Sequence, residues 1–303
     1  MKVLTHWDTD GIVSASKLLE VIDTKEVYIP KIGSWRFKAI PEEAFGDVLY
    51  VLDYSLPQED WVEVCKRVKD LVYIDHHPGS KPPCGKTVNP ALEGEAPPSA
   101  SVVVSEYFNL PLDWRDAVAI AADLVNPEGN PIWEEIVKKE GLDKEKVKEA
   151  AALLNACYRL NDYDCIKRYI FKLKDMSLEE LYEDQYLWEK RREVQRKIDE
   201  LLSKAICEKI NGIKVCKVYG DPSAHNFTNA LWKRLREGET IVITIDGERA
   251  RIYCRGGNRD YTKLIKMLKE MGLEEVGGKV QVCSAYVEPQ RLEEVLNKIL
   301  VAR

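Results

Sequence analysis

The chain has 303 residues, long enough for two domains rather than one. Hydrophobic residues make up 45% and charged residues 32%, so real cores lie under a surface crowded with Lys and Glu, a balance that leans towards a thermophile. A net charge of −6 excludes a globally basic nucleic-acid binder and confines any nucleic-acid surface to a local patch.

The first part alternates two periodicities. Apolar runs at 2–7, 27–32, 48–53 and 71–74 read as strands, and the segments 11–22 and 57–68 between them read as helices. Strands alternating with helices imply a parallel sheet covered on both faces. From about 99 to 172 the pattern turns helical, with segments 99–108, 113–123, 132–139 and 144–160. The stretch 178–206 lacks Gly and Pro and is polar on most sides, which reads as one connecting helix. A last α/β part follows, with strands at 213–219, 240–246, 249–255 and 279–287. Asp246-Gly247 fits a two-residue hairpin turn within it.

No apolar run reaches the length of a membrane span, and the N-terminus enters a strand at once, so a cytoplasmic protein without a membrane partner is expected. The eight cysteines form no CxxC pair, which argues against a zinc ribbon or a disulfide framework. They read as buried free thiols.

Three acidic or imidazole clusters fall at the carboxyl ends of three of the parallel strands. They are His6, Asp8 and Asp10 after the first, Asp53 after the third, and Asp75-His76-His77 after the fourth. In an open α/β sheet the crevice outside those ends is where ligands bind. Carboxylates and imidazoles suit first-row divalent ions and need no cysteine. Residues two apart on an extended segment face one side, so His6, Asp8 and Asp10 can share a ligand. Gly11 lets the chain turn tightly into the helix. Each cluster also has a plain structural reading. Asp8-Thr9-Asp10 can cap a helix, Asp53 can be a turn residue, and Asp123 can end a helix before Asn126-Pro127. Their coincidence at one sheet edge favours a metal site.

At these residues the chain resembles the DHH phosphoesterase superfamily. THWDTDGIVSA is similar to that family's first motif, DYSL carries the second at Asp53, and DHHPG is the third. AVAIAADLVNP supplies the fourth at Asp123, in a context similar to RecJ-like nucleases, and PPSASVVVSEY resembles the helix before it. Further on, RIYCRGG and EVGGKVQV resemble the DHH-associated substrate domain, with Lys279 where a histidine is usual and Cys254 where a serine is common.

The resemblance implies an α/β protein with an N-terminal parallel-sheet, Rossmann-like DHH domain (1–175), a helical linker (176–206), and a smaller C-terminal α/β domain with a mixed sheet that binds substrate (207–303). It implies two divalent ions, Mn²⁺ foremost, with Mg²⁺ and Co²⁺ as alternatives. His6, Asp8 and Asp53 hold one, and Asp10, Asp53, His76 and Asp123 the other. Such ions activate water and neutralise charge on a phosphoryl group. His77 then contacts the scissile phosphate, and Asp75 either ligates or orients a histidine. Arg255, Gly277, Gly278 and Lys279 are candidate substrate contacts, with Arg251 as a further phosphate partner. His225 is a candidate from a loop outside the motifs.

The expected activity is exonucleolytic release of mononucleotides from short single-stranded RNA or DNA oligonucleotides. Other phosphate substrates stay open: 3′-phosphoadenosine 5′-phosphate, a cyclic dinucleotide, pyrophosphate or polyphosphate. So does a non-catalytic RecJ-like nucleic-acid-binding partner. A homodimer is compatible with the sequence.

Overall fold

The computed structural model describes residues 1–301 except 221, 257, 258 and 274. The chain divides into two compact units, residues 1–191 and 192–303.

Unit 1 opens with β1 (Lys2–Thr5), α1 (Thr9–Leu18), β2 (Val27–Tyr28), β3 (Val48–Leu52), α2 (Gln58–Arg67), β4 (Asp70–Ile74) and β5 (Lys86–Val88). The five strands form one parallel sheet in the order β2-β1-β3-β4-β5. The three middle strands read as near-continuous apolar runs because both faces are covered. Val3, Leu4, Leu49, Val51, Leu52, Leu71, Tyr73 and Ile74 are all buried. The expected second strand, 27–32, keeps only its first two residues. The chain then leaves the sheet as a strap, closed where the Lys31 amide bonds to the Ala39 carbonyl at 2.8 Å.

Helices complete the unit: α3 (Ala100–Tyr107), α4 (Trp114–Asp123), α5 (Pro131–Glu140), α6 (Lys144–Arg159), α7 (Tyr163–Lys172), α8 (Leu178–Glu183) and α9 (Gln185–Ser203). Helix α1 is buried along its whole length, packed against α3, α4 and α7. Its Lys17 has no exposure, and its Nζ lies 3.0 Å from both Asp113 and Asp116. The expected single helix over 178–206 is two helices. The backbone turns out of helix at Asp184, whose carboxylate then accepts from the Tyr186 amide at 3.0 Å and opens the next helix. The division between units falls inside α9.

Unit 2 continues with β6 (Ile206–Ile210), β7 (Ile213–Tyr219), α10 (Thr228–Leu235), β8 (Thr240–Ile245), β9 (Ala250–Arg255), α11 (Thr262–Glu270), β10 (Val276–Lys279), β11 (Val282–Val287) and α12 (Leu292–Val301). Its sheet is mixed, in the order β10-β11-β9-β8-β7-β6, with β7 and β8 parallel and the other neighbours antiparallel. The expected strand 279–287 is a hairpin of β10 and β11. The Asp246 amide bonds to the Arg249 carbonyl at 3.0 Å, so the two-residue loop is Gly247-Glu248, one position on from the expected Asp246-Gly247. Asp246 Oδ1 accepts from the amides of Glu248 and Arg249 at 2.7 and 2.6 Å, a side-chain-closed turn.

The cysteine expectation is corrected. Three pairs are bridged: Cys65–Cys84, Cys157–Cys165 and Cys207–Cys216. Only Cys254 and Cys283 remain buried thiols. No described helix is long and apolar enough to cross a membrane.

Candidate metal centre

The register of the parallel sheet builds the site. Thr5 lies opposite Leu52, and Leu52 opposite Ile74. The next residue on each strand is therefore His6, Asp53 and Asp75, so three neighbouring strands release their chemistry at one level. The ladder runs one step further: the His6 amide bonds to the Leu52 carbonyl at 3.2 Å and the Asp53 amide to the Ile74 carbonyl at 3.0 Å. Asp53 then takes a left-handed backbone, φ +52°. A non-glycine residue holds that conformation only where its surroundings fix it, and such residues cluster at functional sites.

The turn into α1 adds Asp8 and Asp10. Asp8 caps the helix, its Oδ1 accepting from the Gly11 amide at 3.1 Å. A Cβ on Gly11 would sit 2.3 Å from the His6 carbonyl oxygen, so only glycine permits this turn. Thr9 pins the turn from behind through Asn155 and the Ala151 carbonyl on α6.

These side chains fall into three groups whose ligand atoms lie within 4.8 Å of one another: His6, Asp8 and Asp53; Asp10, His76 and Asp123; and Asp53, Asp75, His76 and His77. Asp53 faces both ways. Its Oδ2 is 3.5 Å from His6 Nδ1, and its Oδ1 is 3.7 Å from His76 Nε2 and 3.5 Å from His77 Nδ1. His76 Nε2 also lies 3.0 Å from Asp123 and 3.6 Å from Asp10.

Neighbouring groups aim each ligand. His76 Nδ1 is 3.1 Å from the Pro97 carbonyl, which can only accept. That bond places the ring proton on Nδ1 and turns the Nε2 lone pair towards the carboxylates. Asp10 accepts from the Ala100 and Ser101 amides at 2.6 and 2.9 Å, the open N-terminus of α3. Asp75 Oδ1 accepts from the amides of His76 and His77 at 2.7 and 3.1 Å and holds His77 Nδ1 at 2.9 Å. Its Oδ2 accepts from the Tyr73 hydroxyl at 2.6 Å. Although proximity groups Asp75 with the ligands, both its oxygens are committed, and the geometry makes it the anchor of His77. His77 is the most accessible of the three histidines, its side chain 34% exposed against 11% for His6 and 2% for His76.

The electrostatics are those of a cation site. Burial, then the charge of Asp123, pushes the Asp10 carboxyl up to about 7. Burial, then Asp10 and Asp8, raises Asp53 well above the usual carboxyl range. Burial alone would lower His6, but Asp8 and Asp53 outweigh it and raise it. Among the described residues, His6 Nε2 and Asp53 Oδ1 are buried without a well-aligned hydrogen bond, and Asp8 Oδ1 stands 3.0 Å from His6 Nδ1 without aligning with its ring. Such atoms are costly unless something pairs with them. Divalent ions fit this all-nitrogen and oxygen donor set and relieve the repulsion.

Arg255, Gly277, Gly278, Lys279 and His225 belong to unit 2. Val282 on β11 lies opposite both Arg255 and Lys279, so those two flank it in one row across three strands. The Lys279 side chain lies outside the described residues. Arg255 donates to the Tyr253 hydroxyl at 3.0 Å, and its guanidinium stands 5.4 Å over the Trp232 ring. Gly278, at φ +147°, has a structural reason: a Cβ there would meet the Val282 carbonyl at 2.1 Å. Gly277 faces open space.

His225 is corrected as a substrate contact. It is 1% exposed, with Nδ1 2.8 Å from Thr244 Oγ1 and Nε2 3.0 Å from Asp246 Oδ2. Burial lowers its pKa to about 4, leaving it neutral. Arg251 is committed likewise, donating to the His225 carbonyl and to Ser284 Oγ at 2.8 and 2.9 Å.

Sequence reasoning missed Tyr73, the Pro97 carbonyl and the α3 amides. Pro97-Pro98-Ser99 carried a signal for the last two, because a Ser cap after prolines fixes where a helix N-terminus opens. It also missed Trp35, half-buried on the strap, whose ring centroid is 6.1 Å from that of His6.

Residues 1–127 match the DHH family, N-terminal domain. The match covers the sheet and the metal-site strand ends of unit 1 and stops short of unit 2. No curated protein sequence matches it. Among solved structures it is similar to RecJ of Thermus thermophilus with Mn²⁺ (TM-score 0.67, 16% identity), covering 99% of this chain but 51% of that one, about half its length. It is similar to a DHH domain described as belonging to a family of ribosomal proteins, with TM-score 0.72, 18% identity and coverage of 99% and 86%. A pGpG-specific phosphodiesterase of Vibrio cholerae gives TM-score 0.52 at 14% identity and coverage of 99% and 98%. At such identities these likenesses speak to the fold.

Proposed function

We propose that the protein is a two-metal phosphodiesterase that trims short single-stranded oligonucleotides to mononucleotides. The observation that carries this reading is the set of three His/Asp groups joined through Asp53 and His76 at adjacent ends of parallel strands. His6, Asp8 and Asp53 would hold one divalent ion, and Asp10, Asp53, His76 and Asp123 the other. Bound there, the ions would activate water and neutralise phosphoryl charge, and Mn²⁺ is the first candidate.

The remaining work falls to the chain itself. Pro97 and the α3 amides keep His76 and Asp10 aimed. Asp75 holds His77 by Nδ1, so the accessible ring meets the scissile phosphate in one orientation.

A dinucleotide substrate is the second reading. The chain covers 98% of the pGpG-specific phosphodiesterase, against 51% and 89% of two RecJ structures. One experiment tests both. Purified protein is incubated with 5′-labelled RNA and DNA from dinucleotides to octamers in Mn²⁺. Mononucleotide release from the whole series supports the oligonucleotide reading, and release from dinucleotides alone supports the second. Folded protein that releases none from any length overturns both.

A further inference from the structure

The strap that carries Trp35 lines an open cavity with residues of β2 and α7. Its volume is about 590 Å³, a size that suits a nucleotide. Lys31, Lys38, Lys167, Tyr28 and Tyr163 line it, with Glu43 as the carboxylate among its lining residues.

The backbone builds this arrangement. The Lys31 amide bonds to the Ala39 carbonyl, which sets Lys31 beside the Lys38–Ala39 segment. The Ile32 amide bonds to the Tyr163 hydroxyl at 3.0 Å, which pins the strap to the first residue of α7. Lys167 lies four residues on, hence on the same helix face. Its Nζ stands 5.9 Å from the centre of the Tyr28 ring. None of the three lysines is ion-paired among the described residues. Unneutralised ammonium groups beside aromatic rings around a nucleotide-sized space are the chemistry of a phosphate next to a planar base.

The strap links this cavity to the metal centre. Trp35 stands near His6, and the Tyr54 hydroxyl donates to the Ser34 carbonyl at 2.8 Å. Lys31 and Lys38 lie four and three residues from Trp35, a backbone path of at most about 14 Å. We propose that the pocket of Lys31, Lys38 and Lys167 binds a backbone phosphate of single-stranded nucleic acid, with a base against Tyr28 or Tyr163, a few nucleotides from the scissile bond. This rests on the oligonucleotide reading above and adds a second anchor to it, one that longer substrates reach and dinucleotides do not.

The test is fluorescence anisotropy with a fluorescein-labelled phosphorothioate octanucleotide and the matching dinucleotide, in Mn²⁺, across a salt series. In K31Q/K38Q/K167Q the ratio of octamer to dinucleotide affinity falls about tenfold. The slope of log affinity against log salt shrinks by about 0.7, the contribution of the one phosphate contact that the pocket makes on a single strand. The control K138Q/K139Q/K174Q removes three exposed lysines elsewhere in unit 1 and the same net charge. Melting curves confirm that both variants fold. Equal losses in test and control assign the effect to the global field and overturn the proposal, as does an unchanged ratio. ATP that competes with the octamer in the wild type, but not in the test variant, supports the same phosphate chemistry and identifies a free nucleotide as a second source. Binding is read without turnover. A wild type that cleaves nothing would therefore refute the proposed function while the lysine dependence remained measurable.

Discussion

Asp53→Asn separates a metal centre from an acidic cluster that merely caps strands. Asn keeps the shape and tolerates the left-handed backbone at φ +52° as well as Asp does, so strain changes little. What changes is charge. Asp8 and Asp53 share a group whose ligand atoms lie within 4.8 Å. At an effective dielectric of about 20, two charges at that distance repel by about 3 kcal/mol. Burial and the charges of Asp10 and Asp8 raise Asp53, so protonation already relieves part of this and removing the charge stabilises by less than about 3 kcal/mol.

Metal-free Asp53→Asn should therefore melt higher than metal-free wild type. With Mn²⁺ the order inverts. At a hundredfold excess over its dissociation constant, the ion stabilises wild type by about 2.7 kcal/mol, or about 5–11 °C. The variant, lacking the carboxylate that faces both ligand groups, loses most of that shift and its turnover. Differential scanning calorimetry after chelation, with and without about 1 mM Mn²⁺, a hundredfold excess for a dissociation constant near 10 μM, reads all four states. A variant that melts lower without metal, or that keeps the full Mn²⁺ shift, would refute the reasoning.

Three further outcomes follow from the same geometry. Asp10 and Asp53 bind protons more tightly folded than unfolded, and His6 does too. The share of metal-free stability that depends on Asp10 should therefore fall as pH rises from about 4 to 7, the span between the ordinary carboxyl value and that of Asp10, while His225, lowered to about 4, works in the opposite sense. Urea unfolding of wild type against Asp10→Asn in EDTA checks this, and a wild-type advantage that grows across that window contradicts it. Asp75→Asn should lower kcat by about 10- to 100-fold while the Mn²⁺ melting shift persists, because Asp75 anchors His77 rather than binding an ion; loss of the melting shift would make Asp75 a ligand. Lys17→Met should cost about 3–5 kcal/mol in urea unfolding, since it leaves the buried Asp116 without its cation; a cost under about 1 kcal/mol would mean that Asp116 finds another partner.

Much of unit 1 was legible in the sequence because buried parallel strands leave apolar runs, and the ligands stand directly after them. His6, Asp53 and His76 stand at or just past that edge, whereas Asp123 ends α4 and was reached through the family resemblance. What escaped depends on contacts between distant segments. Strand β5 is three residues long, and β6 carries Cys207 and Glu208 in a mostly exposed strand, so neither shows a clean period. Missing β6 also hid a disulfide, because Cys207 and Cys216 become direct partners only once β6 pairs with β7. The break at Asp184 escaped for a related reason: no Gly or Pro marks it, and only a side-chain cap reveals the second helix start. The orienting groups of the site are a carbonyl and two amides, which no side-chain pattern announces.

The four histidines show why residue type alone could not sort ligand from scaffold. His76 and His225 are both buried, and each has a carboxylate 3.0 Å from Nε2. At His225 the other nitrogen meets the Thr244 hydroxyl, which can donate or accept, so a neutral ring satisfies both neighbours. Burial lowers its pKa, and the charges of Arg249 and Arg251 add to that. At His76 the carbonyl of Pro97 takes the only proton of a neutral ring, and Nε2 then faces Asp123, Asp10 and Asp53 with a lone pair against lone pairs. A second ring proton could serve one of those carboxylates but would leave the rest of the cluster uncompensated. A divalent cation satisfies the ring and the carboxylates together. The distinction lies in what opposes the second nitrogen, and at His76 that environment admits a metal more readily than any protonation state.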